Sequence, residues 1–253
     1  MTIRNPKQVG SNVFDCKPQT GPCPLRCNQC FYNRPGAFYV DPAQPHMPSV
    51  EEVGDGIMRV NCGHDSNMQR VLVIQATEKY PRRFFNTSVP RFDLPGPVVF
   101  TANRAEEEPA MFPQHCGLPV NLMFVRLRVS ATNLHHIAAA TEAWTAMKIP
   151  VVLTFMAYYT EAPVVPENVE QAAGEPCYAW KVRHVNSYYC PTPAFCAYVL
   201  RQMKAIGGRL AVMCGNLDSA KCADCRNCEA YYWQTMKHMQ EVARATEIEP
   251  CNP

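Results

Sequence analysis

Two groups of cysteines are the residues in this chain whose types and spacing can do chemistry. The chain has 253 residues and 14 cysteines, and half of these cysteines fall in two short segments. In a reducing compartment, closely spaced cysteines bind metals or take part in catalysis more often than they form disulfides. Each group is therefore predicted to be a metal centre, and the ligands are Cys23, Cys27 and Cys30 in one and Cys214, Cys222, Cys225 and Cys228 in the other.

The first group has the spacing C-x3-C-x2-C and is surrounded by prolines and a glycine. Three thiolates can ligate three irons of a [4Fe–4S] cluster, whereas a ferredoxin cluster uses four cysteines. The fourth iron then stays open to the amino and carboxylate groups of S-adenosylmethionine (SAM), to which it can pass one electron. The alternatives are a chance spacing and a zinc site, which needs four ligands and could take His46 or Cys16 as the fourth.

This loop directly follows a predicted first strand and resembles the signature of the radical SAM superfamily. One difference is Gln29, which stands where the family usually has an aromatic residue, although Phe31 and Tyr32 follow closely. The resemblance covers about residues 10–215 and depends on the cysteine loop. It implies an enzyme that reductively cleaves SAM to methionine and a 5′-deoxyadenosyl radical, which abstracts hydrogen from a substrate. A reductant such as flavodoxin or ferredoxin would be a partner.

The resemblance also implies that SAM lies across the ends of the strands. The side chains predicted to contact it are Gln75, Thr77, Arg104, Arg128 and Ser130. Gln75 and Thr77 would end the second predicted strand, and Arg104 would end the third. Arg128 and Ser130 share one face of the fourth. Arg126 shares that face, and buried arginines need a partner. A SAM carboxylate would serve, and the alternative is an ion pair with Glu78 or another acid. No residue is identified as a catalytic acid or base.

The second group has the spacing C-x7-C-x2-C-x2-C and follows the last predicted strand. Short C-x2-C-x2-C runs are typical of ferredoxin loops, so a second [4Fe–4S] cluster is predicted, closed to SAM by four thiolates. Zinc is the alternative, because four cysteines are a common structural zinc site. Cys190 or Cys251 could replace Cys214 as the fourth ligand.

The elements that must position these residues follow from apolar runs and helical periodicity. Six runs are predicted to be strands: 12–16, 70–75, 97–101, 121–129, 150–155 and 209–213. A helix is predicted to begin at Ser49, where Glu52 completes a capping box, and others cover 134–147, 192–206 and 229–246. This alternation predicts an α/β fold, a partial (β/α)6 TIM-like barrel with a small C-terminal cysteine-rich extension. Its active site is expected at the carboxyl ends of the strands.

The predicted barrel occupies residues 1–213, with an insertion at about 160–191 that is rich in prolines and aromatic residues. Residues 214–253 form the extension, in which the second cysteine group precedes a terminal helix. Residues 63–65 are expected at the amino end of the barrel, because they precede the predicted strand 70–75.

Composition narrows the class of protein further. The chain is 47% hydrophobic and 18% charged, which is typical of a globular protein, and 24 basic residues nearly balance 22 acidic ones. This balance gives no electrostatic sign of nucleic-acid binding. The start of the chain has no apolar h-region of a signal peptide, and no apolar stretch is long enough for a membrane span, so a cytoplasmic protein with no membrane partner is expected. The substrate stays open among small molecules, peptides and nucleic acids. The competing hypothesis is a non-catalytic iron–sulfur or zinc protein that carries electrons or binds a partner.

Overall fold

Seven parallel strands form one sheet, in which the strands lie in the same order as in the sequence. The computed structural model describes residues 4–27, 29–30, 41, 43–104, 118–184 and 187–248. The strands are β1 (Val13–Cys16), β2 (Ile57–Val60), β3 (Arg83–Thr87), β4 (Val98–Thr101), β5 (Leu122–Val129), β6 (Val151–Phe155), β7 (Tyr178–Lys181), β8 (Tyr188–Pro191) and β9 (Ala211–Met213). The sheet order is β1-β2-β3-β4-β5-β6-β9, while β7 and β8 form a separate antiparallel pair.

The helices connect successive strands of the sheet or follow its last strand. They are α1 (Val50–Val53), α2 (Arg70–Thr77), α3 (Leu134–Ala146), α4 (Glu167–Ala173), α5 (Pro193–Gly207), α6 (Cys222–Cys225) and α7 (Asn227–Ile248), and short 3-10 turns cover Pro6–Gln8 and Gly208–Leu210. Residues 160–191, predicted to be an insertion, contain α4 and the β7–β8 pair. Among the described residues, no helix combines the length and the apolar character that crossing a bilayer requires.

The sequential order of parallel strands is consistent with the predicted partial TIM-like barrel, with seven strands rather than six. Right-handed crossovers place the connecting helices on one face of such a sheet, here called the outer face. On that face Val125 and Leu127 of β5 pack with Ile137 and Trp144 of α3 in the largest apolar core. The opposite face, here called the inner face, is the side on which a barrel would hold its ligands.

The prediction of a strand at 70–75 is wrong, because these residues form α2. The second strand is instead β2, and β3 was not predicted. A short apolar run cannot by periodicity alone be assigned to a strand or a helix. In α2 only part of the run is buried, since Val71 is 68% and Leu72 is 45% exposed. The capping box is confirmed, because the Glu52 amide donates to Ser49 Oγ and the Ser49 amide donates to Glu52 Oε2.

The terminal helix α7 packs on the inner face and shares its core. Tyr232, which is 2% exposed, lies with its ring centroid 6.5 Å from that of Phe84. The Tyr231 ring lies 5.6 Å from that of Phe124 on β5. The terminal helix of the predicted C-terminal extension therefore packs against the amino half of the sheet.

The inner face changes from apolar to polar along every strand of the sheet. Because side chains alternate between faces, the residue two positions after an inner apolar residue also points inward. The inner apolar side chains, which share one core with Tyr232 of α7, are Val13, Ile57, Phe84, Val99, Phe124, Val152 and Val212. The residues two positions later are here called the polar band, and they are Asp15, Arg59, Asn86, Thr101, Arg126, Thr154 and Cys214. This band lies toward the carboxyl edge, where the active site was predicted.

Candidate functional site

The loop that carries the first cysteine group follows β1 at the carboxyl edge and is built from two tight turns. The Arg26 amide donates to Cys23 O at 3.4 Å, and the Cys30 amide donates to Cys27 O at 3.1 Å. Arg26 and Gln29 take left-handed backbone conformations, with φ of 44° and 50°. Cys23 and Cys27 therefore each begin a turn, and Cys30 ends the second one.

The base of this loop is fixed to neighbouring segments. Lys17 and His46 exchange two backbone hydrogen bonds of 2.8 Å each. Gln19, which is fully buried, donates through Nε2 to the carbonyl oxygens of Asp65 at 3.1 Å and Met68 at 2.9 Å. The cysteine loop is therefore held against the segment that follows β2.

Asp65 connects the loops that follow three successive strands. Its buried carboxylate accepts hydrogen bonds from the hydroxyl of Thr87, the last residue of β3, at 2.8 Å and from the amide of the following Ser88 at 2.6 Å. Residues 63–65 thus follow β2 at the carboxyl edge, and the prediction that they lie at the amino end is wrong. That error follows from the misassigned strand at 70–75.

The thiols of the first group lie close enough to one another, and to two arginines, for their charges to interact. Burial raises the pKa of the Cys23 thiol to about 11, and a thiolate at Cys27 or Cys30 would raise it further. Burial also raises the pKa of Cys27, while the guanidinium groups of Arg128 and Arg104 lower it. These two arginines, both predicted to contact SAM, therefore lie within electrostatic range of Cys27.

Arg128 is positioned by the polar residues around the end of β5. The Asn103 side chain bonds to both the amide and the carbonyl of Arg128, each at 2.8 Å. The Arg128 side chain donates through Nη1 to Arg104 O and lies with Nε 3.2 Å from Met156 Sδ. Arg128 is thus held between the ends of β4 and β6. Glu78 was considered as an alternative ion-pair partner of the β5 arginines. It lies at the end of α2, where its charge raises the pKa of Arg83.

Ser130 lies in a buried hydroxyl network rather than on an open surface. It is fully buried, and its Oγ accepts from Tyr158 OH at 2.7 Å and lies 2.9 Å from Thr132 Oγ1. A contact from Ser130 to SAM would have to compete with these bonds. The contact between Ser130 and SAM stays a prediction. Of Arg128 and Ser130, Arg128 is the residue whose charge affects the cysteine loop, because it lowers the pKa of Cys27.

Gln75 and Thr77 were predicted to contact SAM because they would end a strand, and the structure places them on α2 instead. Gln75 is exposed on the outer face of the molecule. The Thr77 hydroxyl is buried and donates to Val73 O at 2.7 Å within its own helix. The connection after α2 leads to the first residue of β3, so both residues lie near the amino edge, opposite the cysteine loop.

The second cysteine group lines a cavity on the inner face, together with two arginines of the polar band. The cavity is here called the four-cysteine cavity, and its lining includes Cys214, Cys222, Cys225, Cys228, Arg59, Arg126, Phe124, Val152, Asn227 and Glu229. Burial raises the pKa of Cys228 to about 12 and also raises the pKa of Cys222, and the charge of Arg59 lowers both.

Within the described residues, no contact links Cys190, one of the two alternative fourth ligands, to the second group. Cys190 lies on the β7–β8 pair opposite Ala179, and its charge acts on Cys196. Cys251 is outside the described residues, as are Phe31 and Tyr32 after the first group. In the part of the chain that is described, no three Cys, His, Asp or Glu side chains converge closely enough to hold a metal ion. Ligation by either cysteine group would therefore require the thiol side chains to turn toward one another.

Sequence reasoning missed the side chains that organise this edge, above all Asp15, Arg59 and Asp65. Arg59 donates to both carboxylate oxygens of Asp15, at 2.6 and 2.9 Å. The signal for this pair was available, because both residues stand two positions after an apolar residue in a short run. It could not be used because no strand was predicted between residues 16 and 70. Comparisons with protein-family models, with curated proteins and with solved structures give no match for this chain.

Proposed function

We propose that this chain is a radical SAM enzyme in which Cys23, Cys27 and Cys30 hold a [4Fe–4S] cluster. The observation that carries the proposal is the position of the loop with these cysteines, directly after β1 at the carboxyl edge of a sequentially ordered parallel sheet. Ligands of (β/α) barrels bind at this edge. Arg104 and Arg128, at the ends of neighbouring strands, offer guanidinium groups to the carboxylate of SAM.

The three-ligand count is supported by the surroundings of the two possible fourth ligands. Cys16 is 1% exposed and packs on the outer face with Val60 and Val73, turned away from the inner face. Burial lowers the pKa of His46, and the charged groups that act on it are those of Asp15, Glu52 and Lys17, none of them a cysteine of the loop. A four-ligand zinc site therefore finds less support here than a cluster with one open iron.

When bound, such a cluster would supply one electron for the cleavage of SAM to methionine and a 5′-deoxyadenosyl radical, which takes a hydrogen atom from the substrate. The role of the protein's own residues would be to bind and orient SAM and to shield it from water. Arg128, fixed by Asn103, would hold the methionine carboxylate, and the buried Tyr158–Ser130 network would exclude water behind it. A flavodoxin or ferredoxin would supply the electron. The substrate class is a small molecule, a peptide or a nucleic acid.

The proposal predicts SAM cleavage by the reconstituted protein. After anaerobic loading with iron and sulfide, addition of SAM and dithionite is expected to yield 5′-deoxyadenosine, measured by chromatography. The iron–sulfur absorbance is expected to change when SAM is added, because SAM binds the open iron. A protein that carries clusters but forms no 5′-deoxyadenosine would contradict the proposal and favour a non-catalytic iron–sulfur protein.

A second prediction concerns the contact between Arg128 and SAM. The substitution Arg128→Ala is expected to weaken SAM binding by about 1–3 kcal/mol, the free energy of a lost charge-assisted hydrogen bond. Equilibrium binding of SAM to the reconstituted protein measures it. Arg201→Ala, on the exposed surface of α5, is the matched control and should leave the affinity unchanged. Unchanged affinity in a folded, cluster-loaded Arg128→Ala protein would assign Arg128 a structural role only.

A further inference from the structure

We propose that the four-cysteine cavity holds a second metal centre, ligated by its four thiolates, with Arg126 as its counter-charge. The inference does not depend on the radical chemistry, because it concerns a different set of ligands. It places the centre on the inner face of the sheet, above the apolar layer covered by α7, rather than in a separate extension.

The local fold brings the four thiols to this cavity from two directions. Cys222 and Cys225 are three residues apart on α6, so they lie on one side of a single helical turn. Arg226, with φ of 50°, turns the chain from α6 into α7, where Cys228 lies in the first turn. Asn227 Nδ2 donates to Met213 O at 2.8 Å. This bond holds the start of α7 beside the end of β9, and Cys214 is the next residue after β9.

The charge of the site favours a metal bound by thiolates. Four thiolates around a divalent ion, or around a cubane whose core carries two positive charges, leave two net negative charges. A buried negative charge is costly unless cations or hydrogen-bond donors offset it. The guanidinium groups of Arg59 and Arg126 line the same cavity as the thiols, and the amino end of α7 adds the positive end of a helix dipole.

The two arginines differ in how their own charges are balanced. Arg59 is 13% exposed at its side chain and pairs with Asp15, so it contributes an oriented but largely neutralised group. Arg126 donates to the amide oxygen of Asn86 at 3.2 Å. Within the described residues, no carboxylate lies at ion-pair distance from Arg126. Glu229 lines the same cavity but accepts from Asn12 at 2.9 Å. Arg126 is therefore the cation that a negative metal centre would balance.

The position of Arg126 also relates the two cysteine groups to each other. Arg126 and Arg128 are two residues apart on one face of β5, which corresponds to about 7 Å along the strand. The charge of Arg126 lowers the pKa of Cys228, and the charge of Arg128 lowers the pKa of Cys27. A centre in the four-cysteine cavity would thus lie beside Arg126, on the strand face that also carries Arg128.

The test uses the full chain with Cys23, Cys27 and Cys30 replaced by Ala, so that only the second group can bind metal. Titration with Co(II) is expected to give a thiolate-to-cobalt absorbance that saturates at about one cobalt per chain. Anaerobic loading with iron and sulfide is expected to give about four irons if the native centre is a cubane. Cobalt binding without iron–sulfur loading would identify a zinc centre. Failure of both would overturn the inference, whatever the unsubstituted protein does with SAM.

The counter-charge is tested in the same background by changing Arg126. Arg126→Gln is expected to weaken Co(II) binding roughly tenfold, because it removes a charge that faces the thiolates. Arg126→Lys keeps that charge and should recover most of the affinity. Arg244→Gln, on the exposed surface of α7, is the matched control. Equal affinity in Arg126→Gln and Arg244→Gln proteins of the same fold, compared by circular dichroism, would overturn the role given to Arg126.

Discussion

Replacement of Cys27 by Ala is expected to abolish the formation of 5′-deoxyadenosine from SAM. Cys27 is the middle residue of the three-cysteine loop, and its thiol is the one on which Arg104 and Arg128 act. A cluster that already leaves one iron open to SAM has no spare protein ligand, so the loss of one thiolate should prevent stable assembly. Chromatography of the products, after reconstitution and reduction by dithionite, measures the loss. We expect the same result for Cys23→Ala and Cys30→Ala.

The matched control for these substitutions is Cys190→Ala. Cys190 is half-buried on the β7–β8 pair, so the change removes a thiol of similar exposure far along the chain from both cysteine groups. It should leave both SAM cleavage and iron content as they are. Full activity in all three loop variants would refute the assignment of the first group. Loss of both activity and iron in Cys190→Ala would identify Cys190 as a ligand, and loss of activity at unchanged iron content would show general damage to the fold.

The parts of the fold that could be predicted are those in which one pattern has one interpretation. The apolar runs that became β4, β5 and β6 are bounded by turns or by a helix with clear periodicity, and their burial matches a strand with two covered faces. The capping box at Ser49 is a local hydrogen-bond motif and needs no tertiary context. The cysteine spacings are equally local, so both groups could be identified without the structure.

The second and third strands could not be predicted because their sequences carry competing signals. β2 is only four residues long and contains Arg59, whose charge argues against burial until its partner Asp15 is known. β3 begins with Arg83 and contains Asn86, both unusual in a buried strand. The run at 70–75 has the composition of a strand but the environment of a surface helix. Tertiary contacts decide such cases, and the single sequence does not contain them.

That misassignment had consequences for the site. It placed Gln75 and Thr77 at the carboxyl edge and residues 63–65 at the amino edge, and the structure reverses both positions. Arg104 and Arg128 were predicted at the ends of two neighbouring strands, and the structure has them there, because β4 and β5 were predicted at nearly their observed positions. The position of a side chain on a barrel edge is therefore only as good as the assignment of the strand that carries it.

Asp15 is the residue whose removal should destabilise the fold most among the polar residues of the inner face. Its carboxylate accepts hydrogen bonds from Asn5 at 2.8 Å, from Gln8 at 2.7 Å and from two nitrogens of Arg59 at 2.6 and 2.9 Å. The substitution Asp15→Ala leaves the Arg59 guanidinium buried without a counter-charge. Removing one partner of a buried ion pair typically lowers the free energy of unfolding by about 3–5 kcal/mol. Urea unfolding followed by circular dichroism measures it.

An ion pair on the surface is the control that shows whether burial causes the loss of stability in Asp15→Ala. Asp93 pairs with Arg70 and Arg91, but its side chain is 60% exposed, against 1% for Asp15. Asp93→Ala should therefore change the stability little, because water solvates the charges that remain. The double substitution Asp15→Leu with Arg59→Met removes both buried charges, and it should destabilise the protein less than Asp15→Ala alone. If Asp15→Ala and Asp93→Ala had equal effects, the Asp15–Arg59 pair would be no more important to the fold than a surface contact. The pair with Asp15 would then not explain why the Arg59 guanidinium lies beside the thiols of the four-cysteine cavity.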